Sequence, residues 1–321
     1  MAYTNAQATP RSDIAAFVMQ ANADFNQLFI GDKIFPVKGE NVKRGIYMKA
    51  NLANAELLNG DAKARAAGAA YDRIYRKYDT DTFDCQEYGL ESVIDDSYES
   101  EVERFLSLET TEAMLLERSL RISYESRIAT ALFNSSTFTA TAAGTAYTAA
   151  NIATFDVVDD VDLAKSRGLK NGQIFNAAVM SLNVYNRIRR STKLQNQVYG
   201  VTPKSAGQAM LPGEKDVAQA LGLDYLYVAK APKNANTKGQ TYSGSFIWAD
   251  TYIAVCNIAG GDYTAGGVGR TIQWTADTTG LFTPETYRSD ERRSNILRVR
   301  QHTAEKVIDT TACELITTSY A

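Results

Sequence analysis

The sequence contains little of the chemistry on which most enzymes depend, with one histidine and three cysteines in 321 residues. The histidine, His302, lies in a strand-like stretch without metal-ligand spacing such as HExxH, and no G-x-S-x-G elbow accompanies it. Cys85, Cys256 and Cys313 are far apart and lack CxxC spacing, so the sequence predicts neither a disulfide framework nor a zinc site. We therefore expect no catalytic residues, no cofactor and no bound metal.

Strong net charge and long apolar runs are also missing. The net charge is −3 and the pI is near 5.5, whereas a dedicated nucleic-acid binder normally carries a basic excess. No apolar run approaches the roughly 18 residues of a membrane span, and the N-terminus lacks the layout of a signal peptide. Hydrophobic residues make up 45% of the chain, enough for the core of one large domain or two modest ones. A reducing, cytoplasmic compartment fits this composition.

Three charged or glycine-rich stretches are interpreted as structural. Residues 260–270 match neither spacing of a phosphate-binding loop, so we expect a flexible turn. The acidic residues of 156–162 lack the alternating calcium-ligand pattern and indicate the first turn of a helix. Two basic clusters, 187–193 and 288–300, are open to phosphate contact or ion pairing, and the acidic composition favours ion pairing with the long acidic helix described below or with a partner subunit.

The first third of the chain contains segments that do not form a core of their own. Residues 1 to about 30 have the pattern of an arm, and residues 34–37 that of a short edge strand with a proline. Residues 38–70 are too long and polar for a compact connection. Residues 71–78 mix tyrosine, arginine and lysine on both faces, so this extended segment has no dry face. We expect it to lie on another copy of the chain.

A long helix is predicted from about Ser97 to Phe133, because no glycine or proline interrupts the chain between Leu90 and Ala143. Asp96 or Ser97 can cap its start, and its acidic beginning and basic end complement the helix dipole. At 1.5 Å per residue it would be roughly 50 Å long. Its narrow apolar stripe indicates a strut. The stripe consists of Val102, Phe105, Leu106, Ala113, Leu116, Leu120, Ile128 and Ala131.

A compact α/β pattern follows a Thr/Ala/Ser-rich linker or hairpin at residues 135–150. Helices are predicted at 155–167, stopped by Gly168, at 183–190, capped by Asn183, and around 217–221, closed by Gly222. The predicted strands are residues 177–182, 225–229, 246–248 and 252–258, followed by long strands within 272–316.

The order of these elements resembles the major capsid proteins of tailed bacteriophages. The arm, the Ile-Phe-Pro-Val strand at 34–37, the long loop and the tyrosine strand precede Cys85-x-x-Tyr88-Gly89-Leu90-Glu91, an acidic pair and the long helix. Later, the turn Leu221-Gly222-Leu223-Asp224 enters the strand 225–229, as in that family. The resemblance covers nearly the whole chain, and its strength lies in the order of the motifs.

The resemblance implies an α+β fold of the Hong Kong-97 type, with an N-arm, an extended E-loop hairpin, a peripheral domain with a long spine helix and long strands, and a mixed α/β axial domain. Such subunits form pentamers and hexamers that build an icosahedral-type shell around double-stranded DNA. The implied domains are 1–33 for the N-arm, 34–92 for the E-loop region, 93–155 for the peripheral domain with its spine helix, 156–269 for the axial domain and 270–321 for the return to the peripheral domain.

The resemblance also implies partners and a location. The shell is expected in the virion after assembly in the host cytoplasm, with separate scaffolding, portal and decoration proteins, non-specifically contacted DNA and no membrane. A separate scaffold is expected because about 30 residues before Ile34 are too few for a built-in one. We predict no covalent cross-link, since no asparagine partner can be placed for Lys38, Lys43 or Lys49. The residues expected at intersubunit contacts are Phe35, Arg44, Tyr71, Arg73, Tyr75, Arg76, Tyr78, Glu101, Arg190 and Arg292.

Two other functions remain as alternatives. An encapsulin-like nanocompartment would use the same shell chemistry around protein cargo, but those shells begin directly with a helix and lack so long an arm and loop. An enzyme built on residues 156–268 would need a phosphate loop, a metal set or a nucleophile–base pair, and the sequence predicts none of them.

Overall fold

The computed structural model describes residues 9–10, 14, 18, 22–49, 58, 60, 62–71, 73, 79–97, 108–200, 211–237, 239–278 and 280–320. These residues form both helices and strands, and most of the strands belong to two large sheets. No helix in this part of the chain is long and apolar enough to cross a membrane. The helices are α1 (Ala23–Asn26), α2 (Gly31–Ile34), α3 (Leu108–Leu132), α4 (Val157–Lys170), α5 (Leu182–Ile188), α6 (Thr192–Tyr199) and α7 (Glu214–Ala220).

The strands fall into two large sheets and two small two-stranded ones. They are β1 (Thr9–Pro10), β2 (Val37–Glu40), β3 (Arg44–Lys49), β4 (Asp79–Asp84), β5 (Gln86–Asp95), β6 (Thr139–Ala142), β7 (Ala177–Ser181), β8 (Tyr225–Ala229), β9 (Pro232–Asn234), β10 (Gly244–Phe246), β11 (Tyr252–Cys256), β12 (Gly269–Trp274), β13 (Thr283–Ser289), β14 (Ser294–Val307) and β15 (Cys313–Thr317).

The first sheet is organised around β14, a strand of 14 residues. Its order is β1–β13–β14–β12–β2. The strands β13 and β12 pair with successive halves of one edge of β14, and β5 pairs with its other edge. The helix α3 lies across one face of this sheet, where the Tyr124 hydroxyl is 2.8 Å from the Thr271 hydroxyl. Arg127 donates from Nε and a terminal nitrogen to the Glu305 carboxylate at 3.0 Å each. The strut predicted from sequence therefore supports the longest strand.

The second sheet has the order β6–β15–β11–β7–β8 and belongs to the α/β lobe. Its strand β7 is buried at every residue, which explains the continuous apolar run from Ala177 to Met180. Asp156 caps α4 and accepts hydrogen bonds from the backbone N–H groups of Val158 and Asp159. The interpretation of residues 156–162 as an acidic first turn is thus confirmed.

One core cluster joins the two parts of the molecule. It brings the C-terminal half of α3 against the inner face of the second sheet and against the segment that contains α1 and α2. Because these elements share one buried core, the α/β lobe is packed directly against α3 and is not a separate body. Members of the cluster include Phe29, Ile30, Ile34, Phe35, Tyr124, Ile128, Leu132, Val179, Trp248, Ala254 and Leu315.

The predicted helix 97–133 is observed as α3, which ends at Leu132, while residues 98–107 lie outside the described part of the chain. Val102, Phe105 and Leu106 therefore cannot be assigned. The rest of the stripe is correct at Ala113, Leu120 and Ile128, which are buried, whereas Leu116 and Ala131 are partly buried.

Several local predictions are wrong. Residues 34 and 35 are not a strand: Ile34 ends the helical turn α2, and β2 begins only after Pro36, although it is the edge strand that the proline indicated. The helix α4 continues through Gly168 to Lys170. The glycine is needed for packing, because a Cβ at this position would lie only 2.6 Å from atoms of the Phe175 ring. The cap of α5 is Ser181, and the Asn183 amide donates to Asp250 instead.

Both ends of the chain depart from the expected layout. The described residues of the N-arm pack on their own chain: β1 pairs with β13, and Phe29 and Ile30 lie in the main core. The tail does not return as a whole to the first lobe, since β15 pairs with β11 and β6 in the second sheet. Burial explains both departures, because each segment carries apolar side chains that its own chain covers.

Candidate subunit interfaces

The two faces of the ribbon that β3 and β4 form differ in burial. Its inner face packs on the first sheet through Tyr47 and Phe83, and the Tyr47 ring stacks on Tyr263 with centroids 4.8 Å apart. Burial, the Asp81 charge and a hydrogen bond to Asp81 raise the pKa of Tyr47 above its ordinary value. The base of the proposed E-loop is therefore anchored by its own chain, contrary to the expectation that segments in the first third of the chain form no core of their own. Of the segment 71–78, for which no dry face was expected, only Tyr71 and Arg73 are described.

The outer face of the same ribbon has no covering layer in the described structure. Ile46 is 73% exposed, Met48 48% and the preceding Val42 52%. Across the ladder, Ile46 lies opposite Thr82 and Met48 opposite Thr80, both threonines of modest polarity. Exposed apolar side chains on a flat ribbon mark a contact surface, since their burial contributes roughly 25 cal/mol per Å².

The strand β5 forms a long free edge of the first sheet. It runs for 10 residues, and within the described residues it pairs only with β14. Leu90 and Val93 are 40% and 52% exposed along it. The unpaired backbone groups of such an edge bind another strand or segment readily. This edge and the outer face of the ribbon are the two surfaces best suited to contact another copy.

The face of the first sheet that points away from α3 carries a buried charge network around Glu285. Arg298 donates to this carboxylate at 2.7 Å through Nε, and Arg300 donates to it at 2.9 Å through Nε. Arg300 also pairs with Asp277, whose carboxylate accepts a hydrogen bond of 2.8 Å from His302 Nδ1. The only histidine is thus buried against Asp277 and Trp274 and serves the packing of this sheet.

The network fixes its carboxylates in the ionised form. Although burial opposes ionisation, hydrogen bonds from Arg300 and Arg298 hold the pKa of Glu285 below its ordinary value. Burial likewise opposes ionisation of Asp277, and hydrogen bonds from His302 and Arg300 lower its pKa. His302 Nε2 has no hydrogen-bond partner among the described residues, so no nucleophile completes a catalytic triad there.

Ion pairing accounts for most of the basic cluster 288–300. Arg288 donates to both oxygens of Asp96 at 2.5 and 2.7 Å, and this contact lowers the pKa of Asp96. Together with Arg298 and Arg300, this confirms the preference for ion pairing. Their partners, however, are strand and loop carboxylates and not those of α3.

The ten residues predicted at contacts divide into three groups. Phe35 is wrong as a contact, because it is fully buried in the core of its own chain. Tyr75, Arg76, Tyr78 and Glu101 lie outside the described residues. The remaining five stay predictions, each with an exposed side chain: Arg44, Tyr71, Arg73, Arg190 and Arg292.

Sequence reasoning missed the exposed apolar face of the ribbon. Arg44, Ile46 and Met48 alternate with Gly45 and Tyr47, which is the two-residue period of a strand with two different faces. The signal was short and stood in a stretch interpreted as an irregular loop. Reading this period would have placed Ile46 and Met48 on one face.

Comparisons with known proteins bear on the fold. No family model and no curated protein sequence matches the chain. A phage-related protein from Bordetella bronchiseptica RB50 matches with a TM-score of 0.69 at 15% identity over 98% of both chains. The capsid of cyanophage P-SCSP1u matches with a TM-score of 0.58 at 11% identity, over 91% of this chain and 88% of the other. A virus-like particle from Pyrococcus furiosus gives 0.52 at 8% identity, over 95% and 96%.

At such identities the likeness concerns the fold alone. It covers most of the chain, because each of the three matches spans at least 91% of it. The α+β phage capsid fold implied by the sequence resemblance is thereby confirmed. The chain has the fold of phage capsid proteins.

Proposed function

We propose that this chain is the major capsid protein of a tailed bacteriophage, a structural subunit that assembles through pentamers and hexamers into an icosahedral-type shell around double-stranded DNA. The match of its whole fold to a cyanophage capsid is the observation that carries this proposal. In this proposal the shell resides in the virion after assembly in the host cytoplasm, and α3 is the spine of the peripheral domain.

Two described surfaces support self-assembly. The outer face of the β3–β4 ribbon exposes Ile46 and Met48, and β5 presents an edge of 10 residues that no other described strand covers. In a closed symmetric assembly the same patches are covered in every copy, so many modest contacts add up. A monomer would leave both surfaces in water.

The charge of the chain supports a container more than a binder. A net charge of −3 provides no general attraction to phosphates, so packaged DNA can enter and leave without being held by the subunit. Separate scaffolding, portal and decoration proteins, and the domain limits 1–33, 34–92, 93–155 and 156–269, belong to the same proposal.

Size-exclusion chromatography and electron microscopy of the purified protein test the proposal. We expect elution as capsomers or in the void volume and images of closed shells or capsomer rings. A well-folded monomer at high concentration, with no assembly when a scaffolding partner is co-expressed, would contradict it. An enzyme of this size would instead elute as a small, discrete oligomer.

A protein nanocompartment is the second candidate, favoured by the match to the virus-like particle from Pyrococcus furiosus. The match to the cyanophage capsid is stronger, with a TM-score of 0.58 against 0.52. Nuclease-protected DNA in particles purified from the native host distinguishes the two functions. Protein cargo without protected DNA would support the nanocompartment.

A further inference from the structure

Two cysteines face each other directly across adjacent antiparallel strands. Cys256 on β11 pairs with Cys313 on β15, and both are buried. The next pair along the ladder is hydrogen-bonded, with the Asn257 N–H donating to the Ala312 carbonyl at 2.8 Å. Hydrogen-bonded and non-hydrogen-bonded pairs alternate in antiparallel sheets, so the cysteines occupy a non-hydrogen-bonded pair.

This position suits a disulfide. The Cα atoms of a non-hydrogen-bonded pair lie about 4.5 Å apart, within the roughly 4.4–6.8 Å range that disulfides span. Both residues are free thiols, and they interact with each other, since burial and the neighbouring Cys256 thiol raise the pKa of Cys313.

Both sulfurs lie in the main core, because Cys256 and Cys313 are members of the same buried cluster. Cys313 also borders a cavity of about 370 Å³, but the adjacent Glu314, which accepts a hydrogen bond from Arg167 there, shows that this cavity opens on the opposite face of the strand. A small oxidant therefore reaches the sulfurs when the core opens locally. Cys85 lies in a different cluster under the β3–β4 ribbon.

We propose that Cys256 and Cys313 form a site of oxidative modification, where a peroxide closes a disulfide between β11 and β15. The Cys313 sulfur, as thiolate, attacks one peroxide oxygen, the O–O bond breaks, and sulfenic acid and water form. The Cys256 sulfur then displaces the hydroxyl group as a second water. Two thiols and one hydrogen peroxide give one disulfide and two waters, with sulfur oxidised and peroxide reduced.

The modification would tie the last described strand of the chain to the centre of its sheet. A disulfide restricts the unfolded chain, and the loop closed here is long, so resistance to unfolding rises. Because burial raises the pKa of Cys313, little of its thiolate exists at neutral pH, so the reaction is slow and a reducing compartment would keep the pair open. The inference depends on the pairing of two strands and not on the shell function.

Peptide mapping of the purified full-length protein tests the proposal. The protein is treated with about 1 mM hydrogen peroxide, acid-quenched, alkylated and digested with trypsin. We expect peptides 239–270 and 307–321 to appear as one linked species, and the midpoint of thermal unfolding to rise by several degrees. Alkylation of Cys256 and Cys313 as free thiols after unfolding would overturn the proposal, as would a link through Cys85 or between chains.

Variants separate the roles of the cysteines. Cys85→Ser is the matched control and should give the same linked peptides and the same rise in the midpoint. Cys256→Ser should lose both and leave a Cys313 sulfenic acid that dimedone traps. If Cys256→Ser fails to fold, Cys256→Ala serves in its place. A thermal midpoint that rises equally in the Cys256 variant would show that the stabilisation has another origin and would refute the disulfide.

Discussion

The Trp248 indole N–H donates a hydrogen bond of 2.7 Å to the carboxylate of Glu125, a side chain that is only 1% exposed. The same carboxylate accepts the backbone N–H of Ile30 at 3.1 Å and that of Gly31 at 2.7 Å. It therefore joins the strut α3 to the first residues of α2 and to the α/β lobe. Burial raises the pKa of Glu125, and these three donors oppose that shift.

Replacing Glu125 by Gln tests this junction. The amide NH2 would replace one acceptor oxygen and direct an N–H donor at an N–H group that is itself a donor, so about 1–3 kcal/mol of unfolding free energy should be lost. Urea unfolding of assembly-free subunits measures the change. Glu291→Gln, at an exposed turn position, is the matched control and should shift the free energy by less than about 0.5 kcal/mol. Equal midpoints for both variants would show that the junction contributes nothing.

Gly31 is required by the same contact. A Cβ there would lie 2.5 Å from Glu125 Oε2 and 2.8 Å from Ile128 Cδ1. Gly31→Ala should therefore destabilise the subunit by about 1–3 kcal/mol, measured by the thermal or urea midpoint. Gly60→Ala has nothing within 4 Å of the added Cβ and is the control. A neutral Gly31→Ala would mean that α2 sits farther from α3 than the structure places it.

The ribbon predicts a variant that separates assembly from folding. Ile46→Asp puts a charge at a site that is 73% exposed, so the unfolding free energy of the subunit should change by less than about 0.5 kcal/mol. Shell or capsomer formation should be lost, as measured by light scattering and electron microscopy, because an unpaired charge would be buried at the contact. Ile46→Leu keeps the apolar surface and should assemble normally. Normal assembly of Ile46→Asp would remove the ribbon from the interface.

Acid should weaken the charge network of the first sheet. The folded pKa values of Glu285 and Asp277 lie below their ordinary values, so their contribution is present above those ordinary values and is lost as pH falls through the folded ones. Urea midpoints measured from pH 6 down to about pH 3 should fall, and the fall should be shallower in Glu285→Gln. Glu125 acts in the opposite sense, because its pKa is raised and protonation relieves its burial. Identical pH profiles for wild type and Glu285→Gln would contradict this assignment.

The sequence predicted the elements whose signals are local. The apolar stripe of α3 marks buried Ala113, Leu120 and Ile128, and β-branched residues mark the long tail strands. Acidic residues after Asp156 and the glycine at position 222, with φ of 60°, marked helix ends correctly. These patterns depend on neighbours within one or two turns, so a single sequence contains them.

Contacts between distant residues were beyond local patterns. Glu125 occupies the buried side of α3 because Gly31 and Trp248, 94 and 123 residues away, satisfy its carboxylate. Glycine commonly ends a helix, yet α4 continues through Gly168, where the Phe175 ring occupies the space that a side chain would need. Phe35 was expected on a neighbour because its own partners, such as Val268, come from a remote part of the chain.

The position of β15 has a consequence for biosynthesis. β15 lies between β6 and β11, so the second sheet stays divided until residues 313–317 have emerged from the ribosome. A nascent chain that stops before residue 313 therefore exposes the edges of β6 and β11 on which β15 pairs, and such open edges readily bind other strands.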